Sequence, residues 1–507
     1  MKNTARKREY KMNILLVYPE SPVTFWSFKH ALNFIGKKAN VPPLGILTIA
    51  SMLPKEWNLK LVDMNVEKLK NKDISNSDYV FISAMNIQKQ STREVVDRCK
   101  KLGVKTVGGG PLFVGDFEEF DDIDHLLLHE GEVCIPKFLE DLEAGTPKHI
   151  YDWERYPSLT ETPIPRWDLA KPNKYAMLSL QYSRGCPFNC EFCNVVTLFG
   201  HSPRTKTCEQ IIAELDTIYD LGWRGGIFFV DDNFIGNKNK LKDEVLPQII
   251  EWMKERNHPF TFFTEVSINI ADDEKLLELM GEAGFDNLFV GIETVDEESL
   301  AECNKMQNKN RDLVGNIKRI QGYGMQVSGG FILGFDNDKP SSFAGMINFI
   351  QNSGIVTAMV GVLTALKGTK LFDRMEKEGR LLGGTSESNM DINFTTKMPV
   401  KDLMEGYKRV VQSIYSPKNY YERVKTFLKN YKPNEHGIQK LTASYIGAFF
   451  KACFKLGIAS KGRWQYWKLL GWSLMKKPGA FVMAVKLSVF GYHFRKCMAE
   501  TAINVRD

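Results

Sequence analysis

Residues 181–194, Gln-Tyr-Ser-Arg-Gly-Cys-Pro-Phe-Asn-Cys-Glu-Phe-Cys-Asn, place Cys186, Cys190 and Cys193 in a C-x3-C-x2-C pattern. Three thiols this close are hard to account for by packing alone. Thiolates ligate zinc and iron-sulfur clusters. A structural zinc takes four ligands, usually as two separated pairs, whereas a cubane cluster can be held by three cysteines with one iron left open. A small molecule carrying an amine and a carboxylate could chelate that open iron. Phe192, between the last two cysteines, would present an aromatic edge beside it. A packed turn with clustered thiols and a zinc site lacking its fourth ligand are the other readings of the spacing.

The rest of the chain must position this loop. At 507 residues the length suggests about three domains. An apolar share of 43% and a charged share of 25% are those of an ordinary globular chain and exclude general disorder. Nine cysteines, three of them clustered, fit a metal site with scattered thiols in a reducing compartment better than a disulfide framework. The N-terminus, residues 1–11, is charged with no signal-type apolar stretch after it and reads as a disordered tail.

Short apolar runs at Met12–Tyr18, Leu59–Val62, Tyr79–Ser83 and Lys105–Val107 have the look of parallel strands buried on both faces. Helix-like stretches lie between them, Ser91–Leu102 showing Val95, Val96 and Cys99 on one face. The alternation predicts a doubly wound, Rossmann-like α/β domain over residues 12–145. Its strand-end loops are small and polar: Ser83 to Asn86, Gly108-Gly109-Gly110-Pro111, and His129-Glu130-Gly131-Glu132. Such loops let backbone approach a ligand at the sheet's carboxyl edge, although tight turns without a ligand look the same. Prolines interrupt residues 146–175, which read as a linker. About six further strand–helix units from Cys208 to Leu363 predict a parallel β/α barrel over residues 176–400, closed or incomplete, with the cysteine loop after its first strand. Residues 401–507 lose the strand alternation and read as a mostly helical domain.

The C-x3-C-x-Phe-C spacing after a first strand resembles the radical S-adenosylmethionine (SAM) superfamily. The resemblance implies a 4Fe-4S cluster on Cys186, Cys190 and Cys193 and reductive cleavage of SAM to a 5'-deoxyadenosyl radical. Asp231-Asp232-Asn233 stand where that family places the Gly-Gly-Glu element that holds the SAM amino group. In Thr264–Asn269 the strand period of two puts Glu265, Ser267 and Asn269 on one face, a polar inward face suited to ribose and carboxylate. Gly291-Ile-Glu293 resembles the fourth-strand element, and Gly330, Ile332 and Gly334 with Asp338 resemble the adenine-binding element, Asp338 replacing a glutamate. Of the sixth-strand Pro-x-Pro-Gly-Thr only Gly368-Thr369 remains.

A doubly wound domain before such a barrel resembles the cobalamin-binding class. Gly45, Ser83, Asn86, Gly109, Gly110, Glu130, Gly131 and Glu132 are then the implied cobalamin contacts. The D-x-H-x-x-G motif is absent, Asp63-Met-Asn65 offering no histidine. The stretches Tyr182–Phe188, Phe228–Asn237, Glu302–Asn308, Ile414–Lys418 and Gly491–Arg495 resemble the hopanoid-methylase-like group with its C-terminal domain. This implies methyl transfer to an unactivated carbon of a hydrophobic, lipid-like substrate, with an electron donor such as flavodoxin or ferredoxin as partner. Radical carbon-carbon coupling or ring rearrangement on a lipid, and a non-catalytic cluster or cobalamin sensor, are the alternatives.

Residues 451–507 carry eleven basic side chains against Glu500 and Asp507, interleaved with aromatics from Phe454 to Phe490. The pattern suggests an interfacial surface, and no apolar run is long enough to span a bilayer. A cytoplasmic chain with peripheral contact on the inner membrane face is expected, and no nucleic-acid partner. Cys99 and Cys208 read as packing residues, and Cys303 as an inert thiol or a hydrogen-atom donor near the barrel's active end. His125, His129 and His201 lack ligand-type spacing and read as surface or supporting residues.

Overall fold

The computed structural model describes residues 11–152, 155–382, 392–433 and 443–504, with backbone alone for 443–445 and 499–504. All but the last residue of the tail expected at 1–11 thus lies outside the described residues. The chain divides into two compact units, one of Met1–Pro22 with Pro42–Pro172, the other of Val23–Val41 with Asn173–Asp507.

The first unit is a six-stranded parallel sheet: β1 (Asn13–Tyr18), β2 (Asn58–Asp63), β3 (Tyr79–Ser83), β4 (Lys105–Gly109), β5 (His125–Leu127) and β6 (Ile150–Tyr151), in the order β2-β1-β3-β4-β5-β6. The strands form because their apolar runs are buried on both faces, as at Ile14–Val17 and Tyr79–Ile82. The Lys89–Lys101 helix covers one face through Thr92, Val95, Val96 and Cys99, a stripe at helical spacing. Strand order reverses between β1 and β3, where a doubly wound sheet opens a crevice at its carboxyl edge. The stretch read as a linker is mostly part of this unit. It supplies β6, and Ser51 Oγ donates to the Ile164 carbonyl at 2.6 Å and Arg166 N to Leu47 O at 3.0 Å.

The second unit holds a second six-stranded parallel sheet: β7 (Met177–Leu180), then, beyond the short antiparallel pair β8 (Ser183–Arg184) and β9 (Arg204–Thr205), β10 (Gly226–Phe229), β11 (Thr261–Val266), β12 (Phe285–Glu293), β13 (Gln326–Leu333) and β14 (Thr357–Val362). The order β7-β10-β11-β12-β13-β14 follows the chain and leaves β7 and β14 as edges, so the barrel is incomplete. Each link is a right-sized helix, among them Cys208–Asp220, Glu274–Ala283, Leu313–Gly322 and Pro340–Ser353.

The helices Val400–Tyr415, Pro417–Asn430, Ala443–Gly457, Arg463–Lys476 and Phe481–Asn504 fall in this same compact unit. Buried polar ties fix them to the sheet layer: Tyr415 Oη donates to Ala358 O at 2.5 Å, and fully buried Arg423 donates to Ile414 O at 2.7 Å and Val356 O at 3.3 Å. Phe25, from the inserted segment Val23–Val41, stacks on Phe494 with centroids 4.2 Å apart. One face of the last helix is therefore packed core, through Ala484, Leu487, Phe494 and Cys497. Val482 is exposed at its start, and Ile446, Phe450, Phe454, Trp464, Leu474 and Met475 are exposed on the two helices before it.

Candidate functional site

The cysteine loop leaves the carboxyl end of edge strand β7 and is held from four sides. At its start, the backbone N–H of Tyr182 donates to Asp231 Oδ2 at 3.0 Å, and Ser183 donates to Oδ1 through its N–H and, at 2.5 Å, its hydroxyl. Gly185 adopts φ +94° and faces the Ser202 carbonyl where a β-carbon would sit 2.9 Å away, so only glycine turns the chain into Cys186. On its far side, Arg374 grips Glu191 bidentately at 2.6 and 3.0 Å and also reaches Asp336 at 2.9 Å. Along its middle runs the segment after the Glu297–Glu302 helix: Glu191 N donates to Cys303 O at 3.0 Å, Asn304 Nδ2 to Asn189 O at 2.8 Å, and Gln307 Nε2 to Cys190 Sγ at 3.8 Å.

The three thiols are half-buried, and burial raises the pKa of Cys186 and pushes that of Cys193 up to about 12. Thiols so placed become thiolates readily only against positive charge, which cluster irons supply. Among the described residues, the one group of three His, Cys or carboxylate side chains whose ligand atoms lie within 4.8 Å of one another is His30, His493 and Cys497. The three loop thiols are not drawn together into such a group. In the His30 group, Cys497 Sγ stands 3.4 and 3.5 Å from the two ring nitrogens of His493. That near-equality puts the sulfur over the ring face, and Phe28 stacks on the same imidazole. The group is packed rather than aimed at an ion.

Near the loop, at and just beyond the carboxyl ends of β10, β11 and β12, stands a cluster of carboxyl groups, Asp231, Asp232, Glu265 and Glu293. Burial raises Glu265 to about 8, with Asp232, Asp231 and Glu293 adding to it, and raises Asp232 to about 6. Against them stand Lys305, paired with Glu293 at 2.9 Å, and Arg184, whose charge favours ionised Asp232. A ligand with an amine and a sulfonium fits such a set of carboxyls, since it supplies the missing positive charge. Glu293 sits at φ +64° beside a register irregularity between β12 and β13 at Gly291/Glu293, a bulge that re-aims its carboxylate. A β-carbon at Gly291 would lie 2.2 Å from Glu293 Oε1, so glycine there makes room for the carboxylate.

Several expected contacts serve the scaffold instead. Asp231, 1% exposed, is spent on the loop backbone. Asn233 Oδ1 accepts from Ser267 N at 3.1 Å and Ser267 Oγ at 3.3 Å, and Ser267 Oγ donates to Asn269 Oδ1 at 2.6 Å. The common strand face drawn through Glu265, Ser267 and Asn269 is corrected: β11 ends at Val266, and Ile268–Asp272 is a 3-10 turn, so the period of two stops at Glu265. Gly330 is required by Phe289, whose ring would meet a β-carbon at 2.8 Å. Asp338 accepts from Gly334 N at 2.7 Å and Phe335 N at 3.2 Å, closing the loop after β13. Phe192 and Ile332 border the apolar cluster of Phe335, Leu363 and Ala365, an apolar wall beside the loop.

Cys303 is 1% exposed with its thiol pushed up to about 12 by burial, an inert packing residue whose carbonyl is its contribution. Cys99 and Cys208 are buried packing thiols as expected. His125 is buried in β5 with Nδ1 2.6 Å from Lys148 O and is no surface residue. The anchors Glu191, Arg374 and Asp336 were not read from the sequence, since nothing local marks partners 183 positions apart. Lys305 and Gln307 lay inside the quoted stretch Glu302–Asn308, without a role.

In the first unit, Ser83 ends β3 and Gly109 ends β4, Asn86 and Gly110 follow in the next segments, and Glu130 precedes the Gly131–Glu143 helix. Gly110, at φ +99°, would bring a β-carbon 3.0 Å from the Ala84 carbonyl. Gly45 opens the Leu44–Met52 helix with free space beside it. Two of these residues are engaged by the unit itself: a β-carbon at Gly131 would strike Ile49, and Glu132 Oε1 accepts from Thr162 Oγ1 at 2.7 Å.

Comparison with known proteins matches residues 180–350 to the radical SAM superfamily and residues 369–506 to a domain of unknown function, DUF4070. The chain is 38% identical to an uncharacterized methyltransferase of Synechocystis sp., over 95% of this chain and 91% of that one. It is 35% identical to hopanoid C-2 methylase of Rhodopseudomonas palustris, over 83% of this chain and 80% of that one. Its fold is that of the cobalamin-dependent SAM radical enzyme OxsB (TM-score 0.62, 16% identity, 98% and 80% of the two chains). It is equally that of the methyltransferase TsrM from Kitasatospora setae (TM-score 0.63, 12% identity, 97% and 100%). By these relatives and the matched superfamily, the chain is a radical SAM enzyme of the methyltransferase family that includes hopanoid C-2 methylase.

Proposed function

We propose that the chain methylates an unactivated carbon of a hydrophobic, lipid-like substrate, with a 4Fe-4S cluster on Cys186, Cys190 and Cys193, SAM above it and cobalamin at the first unit's carboxyl edge. When bound, these groups supply a carbon-centred radical and a transferable methyl. The chain's own residues orient and shield. Asp231, Arg374 and the Cys303–Gln307 segment hold the loop, while Asp232 and Glu265 offer carboxylates to the SAM amino group. Phe192 and Ile332 form an apolar wall that excludes water from a radical. The single observation that carries the reading is the held three-cysteine loop near a set of carboxyls with too little positive charge of its own.

For cobalamin, support comes from the fold shared with OxsB and TsrM and from Gly45, Ser83, Asn86, Gly109, Gly110 and Glu130 at one sheet edge. For a lipid substrate, it comes from the hopanoid methylase relative and from the surface of the Ala443–Gly457 and Arg463–Lys476 helices. Ile446, Phe450 and Phe454 recur every four residues and are exposed, as are Trp464, Leu474 and Met475 nearby in sequence, with Lys451, Lys468 and Lys476 among them. No helix among the described residues is long and apolar enough to cross a membrane, so such a surface would dock on anionic lipid. An untargeted lipid comparison between cells with and without the protein tests the reading. Lipids differing by one methyl group support it, and lipids differing by a new ring or coupled skeleton replace it with another radical reaction.

A further inference from the structure

The segment Cys303–Gln307 lies against the cysteine loop through three contacts: Cys303 O with Glu191 N, Asn304 Nδ2 with Asn189 O, and Gln307 Nε2 with Cys190 Sγ. That register carries Lys305 inward between them. Its side chain is 12% exposed and pairs with Glu293 Oε1 at 2.9 Å, and Glu293 is itself pinned by the bulge after Gly291. A lysine held this way is a fixed charge, because its ammonium has a buried partner and little freedom to swing.

We infer that Lys305, with the Gln307 amide, sets the reduction potential of the cluster held by the loop, stabilising the reduced state so that an ordinary electron donor can populate it. The inference rests on the cluster reading above. Reduction adds one electron to a centre already carrying three thiolates, near the carboxylates of Asp232 and Glu293. In that field every additional negative charge is opposed, and one buried ammonium in the adjoining segment offsets it. An N–H aimed at a cysteine sulfur acts in the same direction by spreading the thiolate charge. Glu293 has the role of orienting the ammonium. Lys305 and Gln307 are positioning residues, because they act through the cluster and not on substrate.

The test is a potentiometric titration of the anaerobically reconstituted full-length protein, followed by electron paramagnetic resonance of the reduced cluster. Lys305→Met is expected to lower the reduced-to-oxidised ratio at fixed poise by about tenfold or more, a shift of about 59 mV to more negative potential for a one-electron couple. The stranded Glu293 adds to the shift in the same sense. Lys305→Arg restores the charge and most of the potential. Gln307 is only half-buried, so Gln307→Glu tests the same field with little risk to folding and shifts the potential the same way. A loaded Lys305→Met protein with wild-type potential, or a shift that Lys305→Arg does not reverse, overturns the inference while leaving the cluster reading intact. A wild-type protein without any reduced-cluster signal overturns both.

Discussion

Asp231 is the residue on which the cysteine loop most depends, and its removal gives a graded prediction. Its carboxylate accepts from the Tyr182 and Ser183 N–H groups and the Ser183 hydroxyl, all buried, three residues before Cys186. A buried donor left without a partner costs about 1–3 kcal/mol. Asp231→Ala orphans two backbone donors, and the hydroxyl can turn elsewhere, so the expected loss is about 2–6 kcal/mol. Asp231→Asn keeps one carbonyl acceptor but turns an amide N–H toward the other donor, for a loss of about 1–3 kcal/mol. Ser183→Ala removes one side-chain bond and costs about 1 kcal/mol. The loss is read as a lower midpoint of thermal unfolding. Thermal unfolding of the cluster-free full chain, with iron bound per chain after anaerobic reconstitution, should rank wild type, Ser183→Ala, Asp231→Asn, Asp231→Ala in falling order. An alanine variant that melts with the wild type and holds full iron refutes the assignment of Asp231 as the loop's anchor.

Arg374→Met strands Glu191, while Asp336 keeps Arg380 at 2.7 Å and Glu302 keeps the Asn337 N–H groups. Since Arg374 is about a quarter exposed, the loss is about 1–3 kcal/mol rather than that of a fully buried pair, and should be read as faster cluster loss to a chelator; an unchanged rate contradicts it. Glu265, raised to about 8, keeps a proton on folding that the unfolded chain releases near its usual pKa. Stability of the cofactor-free protein therefore falls as pH rises from about 4.5 to about 8, and Glu265→Gln should flatten that slope in thermal melts. Equal slopes would mean these carboxyls are already compensated. Replacing exposed Phe450, Phe454 and Trp464 together by serine should weaken binding to anionic vesicles more than tenfold, about 2 kcal/mol, with folding unchanged by circular dichroism. Retained binding removes these helices from the membrane account.

Parallel strands were legible because burial on both faces leaves an uninterrupted apolar signature, as in Asn13–Tyr18 and Tyr79–Ser83. The cysteine loop was legible because ligation needs particular atoms at short spacing. What could not be read was long-range. Arg374 finds Glu191 only once β14 and the helix after it are in place, and Val23–Val41 leaves the first unit to pack against the last helix because Phe25 and Phe494 complete one aromatic stack. Periodicity misled at Ser267 and Asn269, where a strand pattern continues in sequence after the backbone has turned. Composition alone could not tell the buried side of residues 481–498, with Ala484, Leu487 and Phe494 in the core, from the exposed side with Val482, Lys486 and Lys496.

The central claim is methyl transfer by a radical at the Cys186, Cys190 and Cys193 site. The direct test is anaerobic incubation of the reconstituted protein with reductant, cobalamin, methyl-deuterated SAM and lipid extract from cells lacking it, with products read by mass spectrometry. The account predicts a lipid carrying the deuterated methyl together with both 5'-deoxyadenosine and S-adenosylhomocysteine, all lost in Cys190→Ala. Deoxyadenosine formed with a lipid product that carries no label would contradict it.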